Sequence, residues 1–109
     1  MLSKEGYAVL TANDGLEALE ICEKFTDPIH LLLTDVGMPR MSGLDLAERV
    51  RESRPDTKII IMSATTAIAE QKTPDAFLRK PFIPPTLREC VQRVLKSSFR
   101  GICNDSELL

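Results

Sequence analysis

Three polar side chains of different chemistry each follow a short, mainly apolar run: the carboxylate of Asp35, the hydroxyl of Ser63 and the ammonium of Lys80. Short apolar runs bounded by turn-forming residues are typical of buried strands in a parallel sheet. Such sheets bind ligands just beyond the carboxyl ends of their strands. The sequence therefore predicts that these three side chains meet at one edge of one sheet.

This combination of groups suits phosphoryl transfer. A carboxylate can attack phosphorus as a nucleophile, and the acyl phosphate that forms needs its oxygens neutralised by a lysine, a hydroxyl or backbone N–H groups, usually with a divalent cation. Each residue also has a simpler interpretation: Asp35 as a helix cap or loop acid, Ser63 as a cap and Lys80 as a surface lysine. The coincidence of the three at one predicted edge favours the chemical interpretation.

The elements that would position these groups alternate between strands and helices. Strands are predicted at Tyr7–Ala12, Leu31–Thr34, Lys58–Met62 and Ala76–Leu78. Helices are predicted from an Asp14 cap to about Phe25, from a Ser42 cap to near Arg54, weakly around Thr66 to Gln71, and from Pro84 onwards. The connections are too short for anything but parallel crossovers, so the sequence predicts an α/β fold with a parallel sheet.

The last predicted helix has the clearest apolar face. Its apolar residues recur at helical spacing and are Leu87, Cys90, Val91, Val94 and Leu95. The segment 97–109 shows no sustained period and is interpreted as a tail or linker. The domain is therefore expected to span residues 1–96.

Composition excludes several classes of function. With 109 residues the chain forms one small domain, and its net charge of −2 gives no electrostatic reason to expect nucleic acid or an anionic membrane as a partner. The sequence contains neither a membrane-length apolar stretch nor the pattern of a signal peptide. We therefore expect a cytoplasmic protein.

The cysteines predict neither a disulfide framework nor a zinc site. Cys22, Cys90 and Cys103 lie far apart, and the single histidine, His30, precedes a predicted strand. Cys22 and Cys90 fall on apolar helical faces and are predicted to be packing residues. Thiol catalysis would need a base beside one of them, which the sequence does not supply.

Several segments together carry a family resemblance. They are Leu31–Pro39 with Met41–Gly43 after it, Ile61–Ala64, and Phe77–Phe82. This set resembles the receiver domains of two-component response regulators, and the resemblance extends from Tyr7 to Lys96. It implies a flavodoxin-like, three-layer sandwich and a signalling role rather than an enzymatic one.

The resemblance also implies roles for particular residues. Asp35 would accept phosphate from a histidine kinase or a phosphotransfer protein in a phosphorelay, Ser63 would hydrogen-bond the phosphoryl group, and Lys80 would pair with it. Asp35 and the carbonyl of Gly37 would bind Mg²⁺. Phe77 would be the switch aromatic that couples to Ser63, although it could equally be a core aromatic. The peptide bond after Lys80 is often cis in this family.

The chain departs from the family at its start. Receiver domains begin with a strand that ends in two acids, which hold the magnesium, and this strand lies inside a sheet of order 2-1-3-4-5. The first strand predicted here corresponds to the family's second, so we expect an N-terminally truncated domain with weak Mg²⁺ binding. The last helix would lose its neighbour and could form a homo-oligomer, and the first two strands could close up.

Two other functions remain open. One is a receiver-like module that no longer takes phosphate and only binds partners, which the lack of the acidic pair favours. The other is an aspartate-nucleophile phosphohydrolase of the haloacid dehalogenase class. That class normally carries a second aspartate two residues after the first, where this chain has Gly37.

Overall fold

The computed structural model describes residues 8–12, 14–37, 41–64, 74–97 and 101–103. In chain order its elements are β1 (Val9–Ala12), α1 (Gly15–Lys24), β2 (Leu31–Asp35), α2 (Gly43–Ser53), β3 (Lys58–Ser63), β4 (Ala76–Arg79), α3 (Pro84–Ser97) and β5 (Gly101–Cys103). Tyr7 and the weak helix predicted around Thr66 to Gln71 lie outside the described residues. None of the described helices has the length and apolar character needed to cross a membrane.

The five strands form one sheet in the order β1-β2-β3-β4-β5, and every neighbouring pair is parallel. Helices α1 and α2 pack on one face of this sheet and α3 packs on the other. Parallel strands covered on both faces need apolar side chains on both, which explains the continuous apolar runs of β2 and β3. The predicted α/β sandwich is confirmed.

The first two helices begin at the predicted caps. The Asp14 carboxylate accepts the backbone N–H groups of Leu16 and Glu17. The Ser42 hydroxyl accepts the N–H of Asp45 at 3.1 Å. These bonds satisfy N–H groups that have no partner inside the helix, and so fix where each helix starts.

Two apolar clusters fill the space between the layers. The cluster under α1 and α2 includes Cys22, Leu46, Val50, Ile61 and Phe77. The cluster under α3 includes Leu31, Ile60, Leu78, Cys90 and Val94, with Leu87, Val91 and Leu95 partly buried against it. The predicted packing roles of Cys22 and Cys90 are confirmed, and the apolar face of α3 packs on the sheet.

Strands β1 and β2 pair directly, from Val9 opposite Leu31 to Ala12 opposite Thr34. The order implied by the resemblance would place another strand between them, and no such strand lies among the residues that the structure describes. Direct pairing with β1 provides hydrogen-bond partners for the backbone N–H and C=O groups along that side of β2, as a buried strand requires. This is the closing up that the sequence left open as an alternative.

Part of the predicted tail belongs to the sheet. Gly101–Cys103 pairs with β4 as β5, and Cys103 is buried. Gly101 has a φ of 150°, which glycine adopts at little cost because it has no Cβ. The interpretation of 97–109 as a tail was therefore wrong for residues 101–103, because a strand of three residues is too short to show a period in the sequence. Residues 98–100 and 104–109 lie outside the described part.

Candidate functional site

The three predicted site residues lie at the carboxyl edge of the sheet. Asp35 is the last residue of β2 and Ser63 is the last residue of β3, while Lys80 directly follows β4. In the strand register Asp35 stands opposite Met62, and Ser63 stands opposite Arg79. Relative to Ser63, Asp35 therefore lies one residue lower and Lys80 one residue higher along three adjacent strands, Lys80 just past the end of its strand.

Asp35 and Lys80 form an ion pair. The Lys80 ammonium donates a hydrogen bond from Nζ to Oδ2 of Asp35. The Asp35 side chain remains 32% exposed and that of Lys80 38% exposed, so the pair is accessible from solvent. The Lys80–Pro81 peptide bond is cis, as the resemblance led us to expect.

The carboxyl of Asp35 has a lowered pKa. Partial burial disfavours the charged form and acts against this shift. The hydrogen bond from Lys80, the backbone N–H of Gly37, the charge of Lys80 and the backbone N–H of Val36 together outweigh that burial and hold the pKa of Asp35 below its ordinary value. Asp35 is therefore an ionised carboxylate at neutral pH, the form that a nucleophile needs.

The segment after Asp35 turns back over the carboxylate. Gly37 donates its N–H to Oδ1 of Asp35 at 3.2 Å, and Val36 donates its N–H to the carbonyl of Met62 at 3.1 Å. Gly43, the first residue of α2, donates to the carbonyl of Val36 at 2.9 Å. The sequence placed Gly43 in the family motif but gave it no role, because its contact with this turn depends on tertiary structure.

Ser63 is buried, with 2% exposure, and its backbone carbonyl accepts the N–H of Lys80 at 2.8 Å. Phe77 stands opposite Ile61 in the register, and Ser63 lies two residues beyond Ile61 on the same strand. Because side chains alternate along a strand, Phe77 and Ser63 lie on the same face of the sheet. Phe77 is 8% exposed and already packs in the core.

The described residues offer magnesium a partial set of ligands. They contain no group of three or more histidine, cysteine, aspartate or glutamate side chains able to hold a metal ion. The carboxylate of Asp35 and the carbonyl of Gly37 are oxygen donors of the kind that Mg²⁺ prefers, but an octahedral ion needs further oxygens. These two residues fit a metal site without completing one.

A family comparison agrees with this geometry. The family model described as the response regulator receiver domain matches residues 1–92, which is most of the chain. The chain belongs to the response regulator receiver domain family, the phosphoacceptor signalling domains of two-component systems. The resemblance seen in the sequence is thereby confirmed.

Individual relatives support the same assignment. The chain is 38% identical over 100 residues to the response regulator receiver protein CpdR of Brucella abortus, covering 87% of this chain and 79% of CpdR. It is equally identical to the sensor kinase CckA of the same organism, of which it spans 11%. It is 36% identical to the response regulator MprA of Mycobacterium leprae, covering 85% of this chain and 41% of MprA. The chain therefore spans less than half of the length of CckA and of MprA.

Solved structures share the fold. The chemotaxis response regulator CheY4 of Vibrio cholerae superposes with a TM-score of 0.69 at 34% identity, covering 84% of this chain and 80% of CheY4. The response regulator TrrA of Thermotoga maritima, solved in complex with Mg²⁺ and BeF, gives a TM-score of 0.67 at 33% identity, covering 84% and 81%. These likenesses confirm the α/β receiver architecture.

Proposed function

We propose that Asp35 is the phosphoacceptor of this receiver domain. The observation that carries the proposal is the ion pair between Asp35 and Lys80 at the carboxyl edge of the sheet, the edge at which β3 also ends with Ser63. A lysine held on the carboxylate is in place to neutralise a phosphoryl group once it is attached. The phosphoryl donor would be a histidine kinase or a phosphotransfer protein.

The chemical step is a transfer between two nucleophiles. A carboxylate oxygen of Asp35 attacks phosphorus, the bond from phosphorus to the donor's histidine nitrogen breaks, and its electron pair leaves with the imidazole, which takes up a proton. The Lys80 ammonium moves from the carboxylate to the new phosphoryl oxygens. The Ser63 hydroxyl donates a hydrogen bond to the same group.

Magnesium binding is part of the proposal, and we expect it to be weak. Asp35 and the Gly37 carbonyl would hold the ion, which when bound neutralises phosphoryl charge. The lack of any group of three or more histidine, cysteine, aspartate or glutamate side chains able to hold the ion among the described residues is the reason to expect low affinity. To test this, Mg²⁺ is titrated into the wild type and into Asp35→Asn while the NMR shift of the Gly37 amide is monitored. We expect a shift that saturates only at high Mg²⁺ concentration in the wild type and no shift in Asp35→Asn.

The output of phosphorylation would run through Ser63 and Phe77. A phosphoryl group adds about 1.5 to 2 negative charges and three acceptor oxygens, which can hold the Ser63 hydroxyl toward Asp35. Since Phe77 is already buried on the same face, the switch requires that its ring also visits an outward position before phosphorylation. We also propose that the exposed residues of α3 bind a second copy of the chain to form a homo-oligomer. The domain would act in the cytoplasm, and its function would require no binding of nucleic acid.

The decisive experiment compares the wild type with Asp35→Asn. Both proteins are incubated with acetyl phosphate and Mg²⁺, and intact-mass spectrometry counts the phosphoryl groups gained. We expect one on the wild type, hydrolysed on raising the pH as an acyl phosphate is, and none on Asp35→Asn. Equal labelling of both proteins, or of neither, would reject the proposal.

A second candidate is a receiver-like module that binds partners without being phosphorylated. It is favoured because the described residues contain no group of three or more histidine, cysteine, aspartate or glutamate side chains able to hold a metal ion. It predicts no gain of mass with acetyl phosphate and no spectral change with beryllofluoride and Mg²⁺. A partner that binds wild type and Asp35→Asn with the same affinity would then identify this function.

A further inference from the structure

We propose that Gly43 is a positioning residue for Asp35: α2 begins directly against the backbone of the phosphoacceptor, and only a residue without a side chain allows this. A Cβ built on Gly43 would come to 3.0 Å from the carbonyl carbon of Asp35 and 3.1 Å from Cα of Val36, and closer still to the carbonyl oxygen of Asp35. Cβ atoms in proteins essentially never approach other heavy atoms within 3.0 Å. Gly43 is itself buried.

The atoms that Gly43 touches have little freedom to yield. The hydroxyl of Thr34 donates to the same carbonyl oxygen of Asp35 at 3.1 Å. The next residue, Val36, is held from two sides, by Met62 of β3 and by the N–H of Gly43. A methyl group at position 43 must therefore push the Asp35 backbone along the sheet edge or push α2 away from it.

Moving the Asp35 backbone would move its carboxylate relative to Lys80 and to the N–H of Gly37. Both of these groups hydrogen-bond the carboxylate now. Reactions that depend on positioned groups lose about 100-fold in rate for a displacement of roughly 1 Å. The inference rests on the proposed phosphorylation of Asp35 and adds a residue that sets its geometry without touching the phosphoryl group.

Gly15 supplies a matched control. It is also the buried first residue of a helix behind a side-chain cap, and a Cβ there would lie 2.8 Å from the carbonyl oxygen of Met41. The three atoms nearest to that Cβ all belong to Met41. Gly15→Ala therefore introduces a comparable steric conflict at a helix start, and that conflict falls first on Met41 rather than on the backbone of Asp35.

The test measures the rate of acetyl phosphate labelling for wild type, Gly43→Ala and Gly15→Ala, together with urea unfolding and an NMR pH titration of the Asp35 carboxyl. We expect both variants to lose stability, but only Gly43→Ala to label about 10- to 100-fold more slowly at saturating acetyl phosphate. We also expect the pKa of Asp35 to rise in Gly43→Ala alone. Equal rates in Gly43→Ala and wild type, or equal losses in the two variants, would overturn the inference.

Two further outcomes are informative. If Gly43→Ala does not fold, Thr34→Val decides, because it removes the other restraint on the Asp35 carbonyl at nearly constant volume; an unchanged labelling rate in that variant rejects the inference. If the wild type itself takes no phosphate, the proposed function fails. The Asp35 titration in Gly43→Ala and Gly15→Ala then still supports or rejects the positioning role.

Discussion

Arg51 of α2 donates a hydrogen bond at 2.7 Å to the carboxylate of Asp75, the residue that precedes β4. The same Asp75 oxygen accepts the N–H of Ile59 at 2.8 Å, and Asp75 is only 4% exposed. This ion pair lies at the amino ends of β3 and β4, the edge of the sheet opposite to Asp35. The ion pair holds α2 to the amino edge of the sheet, while Gly43 at the start of α2 packs against Asp35 at the carboxyl edge.

We predict that Asp75→Ala lowers the free energy of unfolding by about 1–3 kcal/mol, because it removes the buried oxygen that accepts hydrogen bonds from both the Arg51 guanidinium and the Ile59 N–H. Urea denaturation measures the loss. Glu20→Ala is the control, since the Glu20–Lys24 pair is exposed and its loss should leave stability unchanged. Similar losses in the two variants would contradict a special role for the buried Asp75 carboxylate.

A second prediction concerns Arg54, which closes the carboxyl end of α1. Its guanidinium donates to the carbonyl of Cys22 from Nε at 3.1 Å and from Nη2 at 2.9 Å, and also to the carbonyls of Phe25 and Asp27. Arg54→Lys keeps the charge but cannot reach all of these acceptors.

We therefore expect Arg54→Lys to cost about 1–2 kcal/mol in thermal or urea unfolding. Arg49→Lys, on the exposed face of α2, is the matched control and should behave like the wild type. Amide hydrogen exchange should quicken in the last turn of α1 in Arg54→Lys. Unchanged protection there would show that Arg54 does not hold the helix end.

How much of this could be predicted from sequence depended on the range of the interactions involved. Asp14 and Ser42 cap their helices through residues two or three positions away, and the runs of β2 and β3 record burial on both faces, so these features were visible. The pairing of β1 with β2, and that of the edge strand β5 with β4, depend on which distant segment of the chain is available as a neighbouring strand. The contacts of Gly43 and Arg54 likewise depend on tertiary structure, which leaves no local pattern.

The cysteines give a third prediction. Cys22, Cys90 and Cys103 are buried and form no disulfide. Burial is the main cause that raises the pKa of Cys22, while Arg54 opposes this shift and Glu23 adds to it. A buried thiol of raised pKa reacts slowly because little thiolate is present and exposed. We expect slow reaction of all three with a disulfide reagent in the native protein and fast reaction in urea. A thiol that reacts fast in the native state would show that its helix or strand opens readily. Cys103 is the first candidate for this, because β5 is the shortest of the described strands.

The last prediction is a pH dependence that follows from the lowered pKa of Asp35. A carboxyl whose folded-state pKa lies below its ordinary value of 3.8 contributes stability that is present above that value and is lost as the pH falls through the folded-state pKa. Asparagine imitates the uncharged form. The stability difference between wild type and Asp35→Asn should therefore be largest near neutral pH and shrink on acidification below about pH 4. Lys80→Met should weaken this dependence, because Lys80 provides the largest of the favourable interactions. A difference that stays constant from pH 7 to pH 3, measured by urea unfolding, would mean that Lys80 does not stabilise the Asp35 carboxylate in the folded protein.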